Sequence, residues 1–370
     1  THHSFQVTIA TDATRALRMN ATVAWNETGP WTEGDILTWR ITEVLLLPVF
    51  FLVGVVGNGL VFYVNHFRLP SNTDTLFKRI LAAIDLIDLS LSLPMLLFTV
   101  VAPESPAFVP CCRCLSFVAL WSALLAGEVL AVISVDRFLK LCLLRKSGLE
   151  PPQIKKILLG LIVFTSAAIL PTIWLYTKNT IYYIYYDIAV SFCFMDFETR
   201  LWYLLIAFSV NLSVCFVAIL AVLVVMYIRI ILKLRELSAK HSQLKGPTGG
   251  DHPSSAEAGK ANRQSDAMRK SSLVFIAVTA AFFGCYTPYF VSVLLQATSI
   301  VVESNLAPAT KAVLDLAKLS PLVSHMINPL IYLISSDQLG KEVKDIILCK
   351  NSFRDCFKRR TALPSGNQRL

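Results

Sequence analysis

The sequence predicts an all-α membrane protein: a seven-transmembrane helix bundle followed by a short amphipathic helix 8. Three observations carry that reading. Of 370 residues, 55% are apolar and only 16% charged, against about 25% charged in soluble domains. Runs without acid, Lys or Arg recur along the chain at membrane-spanning length, and a hydrocarbon core about 30 Å thick takes roughly 20 helical residues. Of the 34 Lys and Arg, 26 fall in segments that become cytoplasmic when the N-terminus lies outside, which orients the chain N-out and C-in. The same bias accounts for the net charge of +9 and removes the reason to read it as nucleic-acid binding.

Four spans are uncharged: Val44 to Phe67, Ile157 to Thr177, Leu201 to Ile228 and Ser271 to Val302. Three more carry ionisable interruptions. The second span holds Asp85 and Asp88; the third, about Cys111 to Cys142, holds Glu128; the seventh, about Pro308 to Ser335, holds Lys311, Asp315 and Lys318. The runs lack the alternation of barrel strands, which leaves helices as the spanning form. The bundle is expected over residues 41–336. Residues 1–40 form an extracellular segment with glycosylation sequons at Asn20 and Asn26, accessible only if that segment is luminal. No secretory signal stands at its start, so insertion falls to the first apolar span or to a leader upstream. Residues 236–266 are polar and rich in turn formers, and are expected to be a disordered cytoplasmic loop.

Short motifs sit inside five spans. They are Gly57-Asn58, Leu81-Ala-Ala-Ile-Asp85, Ile133-Ser-Val-Asp-Arg-Phe138, Phe282-Phe-Gly-Cys-Tyr-Thr-Pro-Tyr289 and Asn328-Pro-Leu-Ile-Tyr332. In this order the chain resembles a rhodopsin-like (class A) G-protein-coupled receptor from about residue 41 to about 350. Val53-Gly-Val-Val-Gly-Asn58 and Leu93-Pro94 lean toward the peptide and chemoattractant type.

The resemblance implies a plasma-membrane receptor that activates a heterotrimeric G protein, with arrestin and a receptor kinase as further partners. It implies that Asp136 holds Arg137 at rest and that Arg137 meets the G protein when helix 6 swings out. Pro329 removes an amide donor and kinks the last span, so that Tyr332 can turn toward Arg137 and Tyr227. The plainer readings are an interfacial Arg and two packed tyrosines. Many relatives lock Arg137 with an acid at the start of helix 6; that position is Met268, flanked by Arg269 and Lys270, so the latch is missing there. Ile219, Tyr286 and Gly127 also depart from the family's usual helix 5 Pro, helix 6 Trp and helix 3 Ile or Val, and Gly127 leaves room beside Phe282.

An ionisable residue inside a membrane is a functional-site hypothesis by default. The resemblance implies a sodium-like midplane site formed by Asn58, Asp85, Ser324, His325 and Asn328. Ala126 stands where the family has a Ser, and His325 where it has a small residue, and both weaken the case for sodium. Residues three apart share a helix face, so His325 should point toward Asp85. A protonated His325 can then replace sodium and make the resting state proton-sensitive; a neutral, hydrogen-bonded His is the plainer alternative.

Nine cysteines are present, and Cys111, Cys112, Cys114 and Cys193 fall outside, where disulfides persist. Cys112 and Cys193 are the preferred pair, while spacing leaves Cys111 and Cys114 open as partners. No His or acid neighbours the cluster, which argues against a metal.

Ala119 stands where amine receptors carry an Asp, and Leu322 where opsins carry a Lys, which disfavours both ligand classes. The pocket is expected from Ala119, Leu120 and Ala123 on helix 3, from Tyr286, Tyr289, Phe290 and Val293 on helix 6, and from Lys318 and Leu322 on helix 7. It is largely apolar with one cation, suited to a peptide C-terminus or a lipid carboxylate. Ile181 to Cys193 is β-branched and aromatic, as a hairpin lid requires. After the last span, Leu339, Val343, Ile346 and Ile347 share one face of a helix lying on membrane lipids, and Cys349 and Cys356 are palmitoylation candidates. The alternatives are a receptor-fold protein with weak or no G-protein signalling, such as a scavenger or dimer partner, and a seven-helix transporter. No repeated halves favour the transporter, and no enzyme motif is present.

Overall fold

A computed structural model describes residues 33–143, 148–183, 188–196, 200–244, 255–297 and 308–348. Within these, eight helices and one hairpin follow in order. They are α1 (Glu33–Tyr63), α2 (Thr73–Val101), α3 (Phe108–Leu141), α4 (Pro151–Ile169), β1 (Tyr176–Tyr183), β2 (Ile188–Met195), α5 (Trp202–Leu244), α6 (Ser255–Ala297), α7 (Pro308–Ser335) and α8 (Asp337–Ile347). Six of the first seven are long and apolar enough to cross a membrane by length and composition. The remaining one, α7, completes the seven-helix bundle and carries the ionisable positions noted above.

Local chemistry sets the helix ends. α1 runs on through a π-helical stretch, Val64–Arg68, and stops at Leu69, which is extended, as a residue before proline must be. Asn72 caps α2: its side chain accepts from the Thr75 amide at 2.9 Å while the Thr75 hydroxyl accepts from the Asn72 amide at 2.9 Å, a reciprocal box that satisfies two helix-end donors. Pro151 opens α4, where the missing amide costs nothing. Pro171 ends the fourth span, leaving one further helical turn, Thr172–Leu175, above it. Ser336 caps α8 by accepting from the Leu339 amide at 3.3 Å.

The expected extents shift in two places. α1 begins at Glu33, inside the segment assigned to the extracellular N-terminus. The cytoplasmic loop is also shorter than residues 236–266: α5 continues to Leu244 and α6 starts at Ser255, because Lys233 to Leu244 and Ser255 to Met268 are rich in Ala, Leu, Lys, Glu and Arg, all good helix formers. Residues 245–254 lie outside the described residues, as do Asn20, Asn26, Cys349 and Cys356.

The largest apolar core fills the half of the bundle nearest α8, where Val61, Phe77, Leu130, Ile133, Phe275, Val278 and Tyr332 pack together with Leu339 and Val343 of α8. A second core, with Phe108, Ile169, Leu175, Tyr176 and Phe208, joins α3, α4, α5 and the hairpin near the outer face. Val210, Val214 and Val217 on α5 and Leu159 and Val163 on α4 are exposed; in a bilayer these stripes face lipid. Inside the membrane the Thr165 hydroxyl of α4 donates to the buried Glu128 carboxylate of α3 at 2.6 Å. The hairpin pairs antiparallel with Lys178 opposite Cys193, and a Cys112–Cys193 disulfide fastens it to the top of α3. Cys111 and Cys114 are free.

Gly57 marks the closest approach of α1 to α7: a Cβ there would lie 3.1 Å from the ring of Pro329. Gly160 has nothing within 4 Å. Gly57→Leu is therefore expected to destabilise the bundle by about 1–3 kcal/mol through overpacking, whereas Gly160→Ala is neutral or stabilising by about 0.5–1 kcal/mol. Thermal unfolding of the detergent-solubilised protein, followed by the loss of its helical circular dichroism, measures both.

Candidate functional site

Two buried polar clusters occupy the bundle, one at the midplane, midway along α2 and α7, and one at the rim nearest α8. The midplane cluster is built on α2 and α7. Asp85 and Asp88 are three residues apart on one face of α2, and His325 stands between them. Its Nδ1 lies 2.8 Å from Asp85 Oδ1 and its Nε2 lies 2.9 Å from Asp88 Oδ2. Asn328 donates to Asp85 Oδ2 at 3.0 Å, and the Ser92 hydroxyl donates to Asp88 Oδ1 at 2.7 Å. Asn58 on α1 donates to the backbone carbonyls of His325, at 2.8 Å, and Gly54, at 3.0 Å. It therefore braces α7 rather than touching Asp85. Ser324 is buried alongside.

A ring nitrogen bonds a carboxylate oxygen only when a proton lies between them. Two such contacts mean that His325, Asp85 and Asp88 share two protons, giving the trio a net charge of −1. All four carboxylate oxygens have donors: His325 twice, Asn328 and Ser92. Hard cations need several free oxygen ligands, and here the imidazole fills the space between the carboxylates while Ala126 offers only a methyl. The residues present do not fit sodium. Asp88 and Ser92 were not among the candidates read from sequence, although the same three-residue spacing that turned His325 toward Asp85 places Asp88 on that face.

The rim cluster is built on α2, α3 and α6. Arg137 is 2% exposed and Asp136 0% exposed, so both charges need partners. Asp136 pairs with Arg137 at 3.4 Å through Oδ2, the same oxygen that lies 2.9 Å from Lys140 Nζ. Its Oδ1 accepts from the Leu149 amide at 2.9 Å. That approach depends on Gly148, at φ 59°, where a Cβ would fall 2.5 Å from Asp136 Oδ1. The carboxylate hydrogen-bonded to Arg137 is Asp74, at the start of α2, and Asp74 also accepts from the Ser271 hydroxyl of α6. The guanidinium lies 5.1 Å over the Phe275 ring.

The two candidate tyrosines rest away from Arg137. Tyr227 on α5 lies 2.8 Å from the Thr279 hydroxyl of α6, which in turn donates to the Phe275 carbonyl at 2.8 Å. Tyr332 is fully buried, its ring beneath Lys78 Nζ at 5.7 Å, and its hydroxyl has no hydrogen-bond partner among the described residues. Pro329 lies against Gly57 as described above.

The expected pocket divides. Ala119, Leu120 and Ala123 line α3 half-buried beneath the hairpin, and Tyr289 and Lys318 are half-buried at the same level. Tyr286 is buried against Phe282, ring centroids 4.4 Å apart. Phe290 is 39% exposed and leans on Phe216 of α5 at 4.8 Å, so it belongs to the α5–α6 seam rather than the pocket. Leu322 packs with Leu47, Leu89 and Leu93: being one turn above His325, it shares the α7 face turned to α1 and α2. The Val293 side chain lies outside the described residues. The room expected beside Phe282 is filled, since a Cβ on Gly127 would meet Ile219 and Phe282 at ordinary contact distances of 3.6 and 3.7 Å.

A polar relay buried inside seven lipid-facing helices, capped outside by a disulfide-fastened hairpin, defines a membrane receptor. The 7 transmembrane receptor (rhodopsin family) profile matches residues 57–332, and the protein belongs to that family, whose members are receptors rather than enzymes. Shorter stretches are similar to the C5a anaphylatoxin chemotactic receptor 1 of Gorilla gorilla gorilla, 35% identical over 106 residues, covering 28% of this chain and 30% of that one. The receptor of the same name from Oncorhynchus mykiss is 33% identical over 108 residues, covering 29% and 31%. These matches span less than a third of either relative's length.

Removing His325 leaves two carboxylates facing each other in a low-dielectric interior, so His325→Ala is expected to cost about 3–5 kcal/mol. Because the imidazole takes the cation's place, the melting temperature of the wild-type protein is expected to be the same in sodium chloride and in choline chloride. A sodium-dependent rise in wild type would overturn the assignment.

Proposed function

We propose that the protein is a plasma-membrane G-protein-coupled receptor, N-terminus outside and C-terminus inside, which converts binding of an extracellular peptide into nucleotide exchange on a heterotrimeric G protein. The observation that carries this reading is Arg137: a buried guanidinium at the cytoplasmic rim, held by side chains rather than by backbone and therefore releasable. Support for a peptide comes from the disulfide-fastened hairpin at the end of the bundle formed by α3 and α5 and from similarity to two receptors named for the C5a anaphylatoxin. An anionic lipid is the second ligand class.

In the resting arrangement Tyr227 is spent on α6 and the Tyr332 hydroxyl has no hydrogen-bond partner among the described residues. Leaving a buried hydroxyl unpaired costs about 1–3 kcal/mol. Outward movement of α6 frees Tyr227 from Thr279 and lifts Phe275 from the guanidinium. Tyr332 then gains partners in Arg137 and Tyr227, which offsets part of the cost of opening. Arg137, once clear of α6, faces the cavity that receives the G protein; arrestin and a receptor kinase would use the same open state. Cys349 and Cys356, if palmitoylated, would tether the segment after α8, whose apolar face already packs on the bundle. A transporter reading loses ground because the midplane carboxylates are paired with His325, Asn328 and Ser92 instead of lining a path.

Nucleotide exchange on purified G protein, measured with receptor in lipid nanodiscs and a library of free-acid and amidated peptides, tests the reading. Arg137→Ala is expected to abolish exchange while surface expression persists; unchanged exchange would refute the transducer role. Tyr332→Phe is expected to raise the melting temperature of the resting state, because it deletes an unpaired buried hydroxyl worth about 1 kcal/mol or more, and to lower stimulated exchange.

A further inference from the structure

We propose that Asp74 is the resting-state latch of this receptor: one carboxylate on α2 that holds Arg137 of α3 with one oxygen and Ser271 of α6 with the other. It rests on the switch reading of Arg137 given above. Three helices thus meet at a single side chain, and α6 is tied to the bundle by a neutral hydroxyl instead of an acid of its own.

The surroundings leave Asp74 as the group able to do this. Asp136 pairs with the guanidinium at 3.4 Å and also engages Leu149 and Lys140, but it lies on α3 beside Arg137 and makes no contact with α6 among these bonds. Met268 of α6 offers no charge, while Arg269 and Lys270 are exposed, Lys270 lying 3.7 Å from Asp337 of α8. Lys140 Nζ approaches Asp74 Oδ1 at 3.9 Å. The carboxylates of Asp74 and Asp136 thereby face the cations of Arg137 and Lys140, with Lys78 of α2 also close enough to act on Asp74 and Arg137.

Asp74 sits in the first turn of α2, where the helix dipole favours a negative charge. Ser271 and Phe275 are four residues apart on α6 and therefore share a face. The hydroxyl binds the carboxylate from one side while the ring covers the guanidinium at 5.1 Å, and Phe77 of α2 meets the same ring edge-on at 6.4 Å. Aromatic cover excludes water and strengthens the polar contacts beneath it.

The latch parts unevenly. When α6 leaves, the Ser271 and Phe275 contacts break, but the Asp74–Arg137 pair lies wholly between α2 and α3 and survives. Arg137 therefore stays oriented toward the opened cavity. An acid on α6 would instead oppose opening with a full charge pair and release Arg137 unguided.

Distances between spin labels placed at Lys156→Cys on α4 and Arg269→Cys on α6, in ligand-free receptor in nanodiscs, test the proposal. Asp74→Asn removes the charge while keeping the shape, and is expected to raise the population of the long-distance, α6-out state about tenfold. Ser271→Ala, which deletes only the hydroxyl, is expected to shift the population in the same direction by a smaller factor. An unchanged distance distribution in both variants overturns the latch. A shift to the open state without any rise in basal nucleotide exchange supports the latch and refutes the transducer reading instead.

Discussion

A charge removed from water must be neutralised by what touches it, and in a lipid-embedded bundle the available partners are other side chains. That constraint organises this protein. Arg137 is almost wholly out of solvent, and its neutralisation draws the start of α2, the end of α3 and the inner end of α6 to one point. The apolar packing of the cytoplasmic half surrounds that point, with Phe77, Ile133, Phe275 and Tyr332 all within the same core. Apolar contact between helices in lipid has no solvent-driven preference for one register over another. Paired charges supply one, because a slip of a single turn would strand them.

The midplane obeys the same rule with a different outcome. Two carboxylates on one face of α2 repel each other, and the imidazole that bridges them is part of α7. A side chain cannot dissociate as an ion can. The join between α2 and α7 is thus permanent where a mobile ion would make it conditional, and Asn58 adds α1 by holding the His325 carbonyl. Helices α1, α2 and α7 form a fixed half of the bundle, to which Gly57 contributes by letting the Pro329 ring approach the α1 backbone.

Much of this was legible in the sequence. Uncharged runs mark the spans because a bilayer penalises charge at nearly every position, so the signal repeats residue after residue. The hairpin and α8 were also legible, since β-branched and aromatic content and a one-sided apolar stripe are local properties. What escaped the sequence is what depends on helix rotation and long-range register. Asp74 and Arg137 are 63 positions apart, and no periodicity within α2 or α3 reveals that their side chains meet. Asp74 looks like an ordinary acid in a helix's first turn. The sequence places Leu322 and Phe290 in the expected pocket, but their rotation about the helix axis is not readable from it. The face each presents is set by what its neighbours must reach: His325 turns one stripe of α7 to α2, and Phe216 draws Phe290 to the α5 side.

The distribution of strong and weak links indicates which part of the bundle can move. α2 and α3 share an ion pair at the rim, α2 and α7 a double carboxylate–imidazole bridge, and α3 and α4 the Glu128–Thr165 hydrogen bond within the membrane. At the end nearest Arg137 α6 is held by two hydroxyl groups, Ser271 and Thr279, by the rings of Phe275 and Phe282, and by a Lys270–Asp337 pair to α8 that is solvent-exposed and therefore weak. Neutral hydrogen bonds are individually weaker than charge-assisted ones, and ring contacts can slide where an ion pair must break. A two-state device requires a gap of only a few kcal/mol between its states. α6 is the helix whose polar ties are compatible with such a gap, while the polar ties of the fixed half are not. A displacement begun near Tyr286, beneath the hairpin, thus has its least costly continuation along α6 toward Ser271, and Arg137 lies at the end of that path.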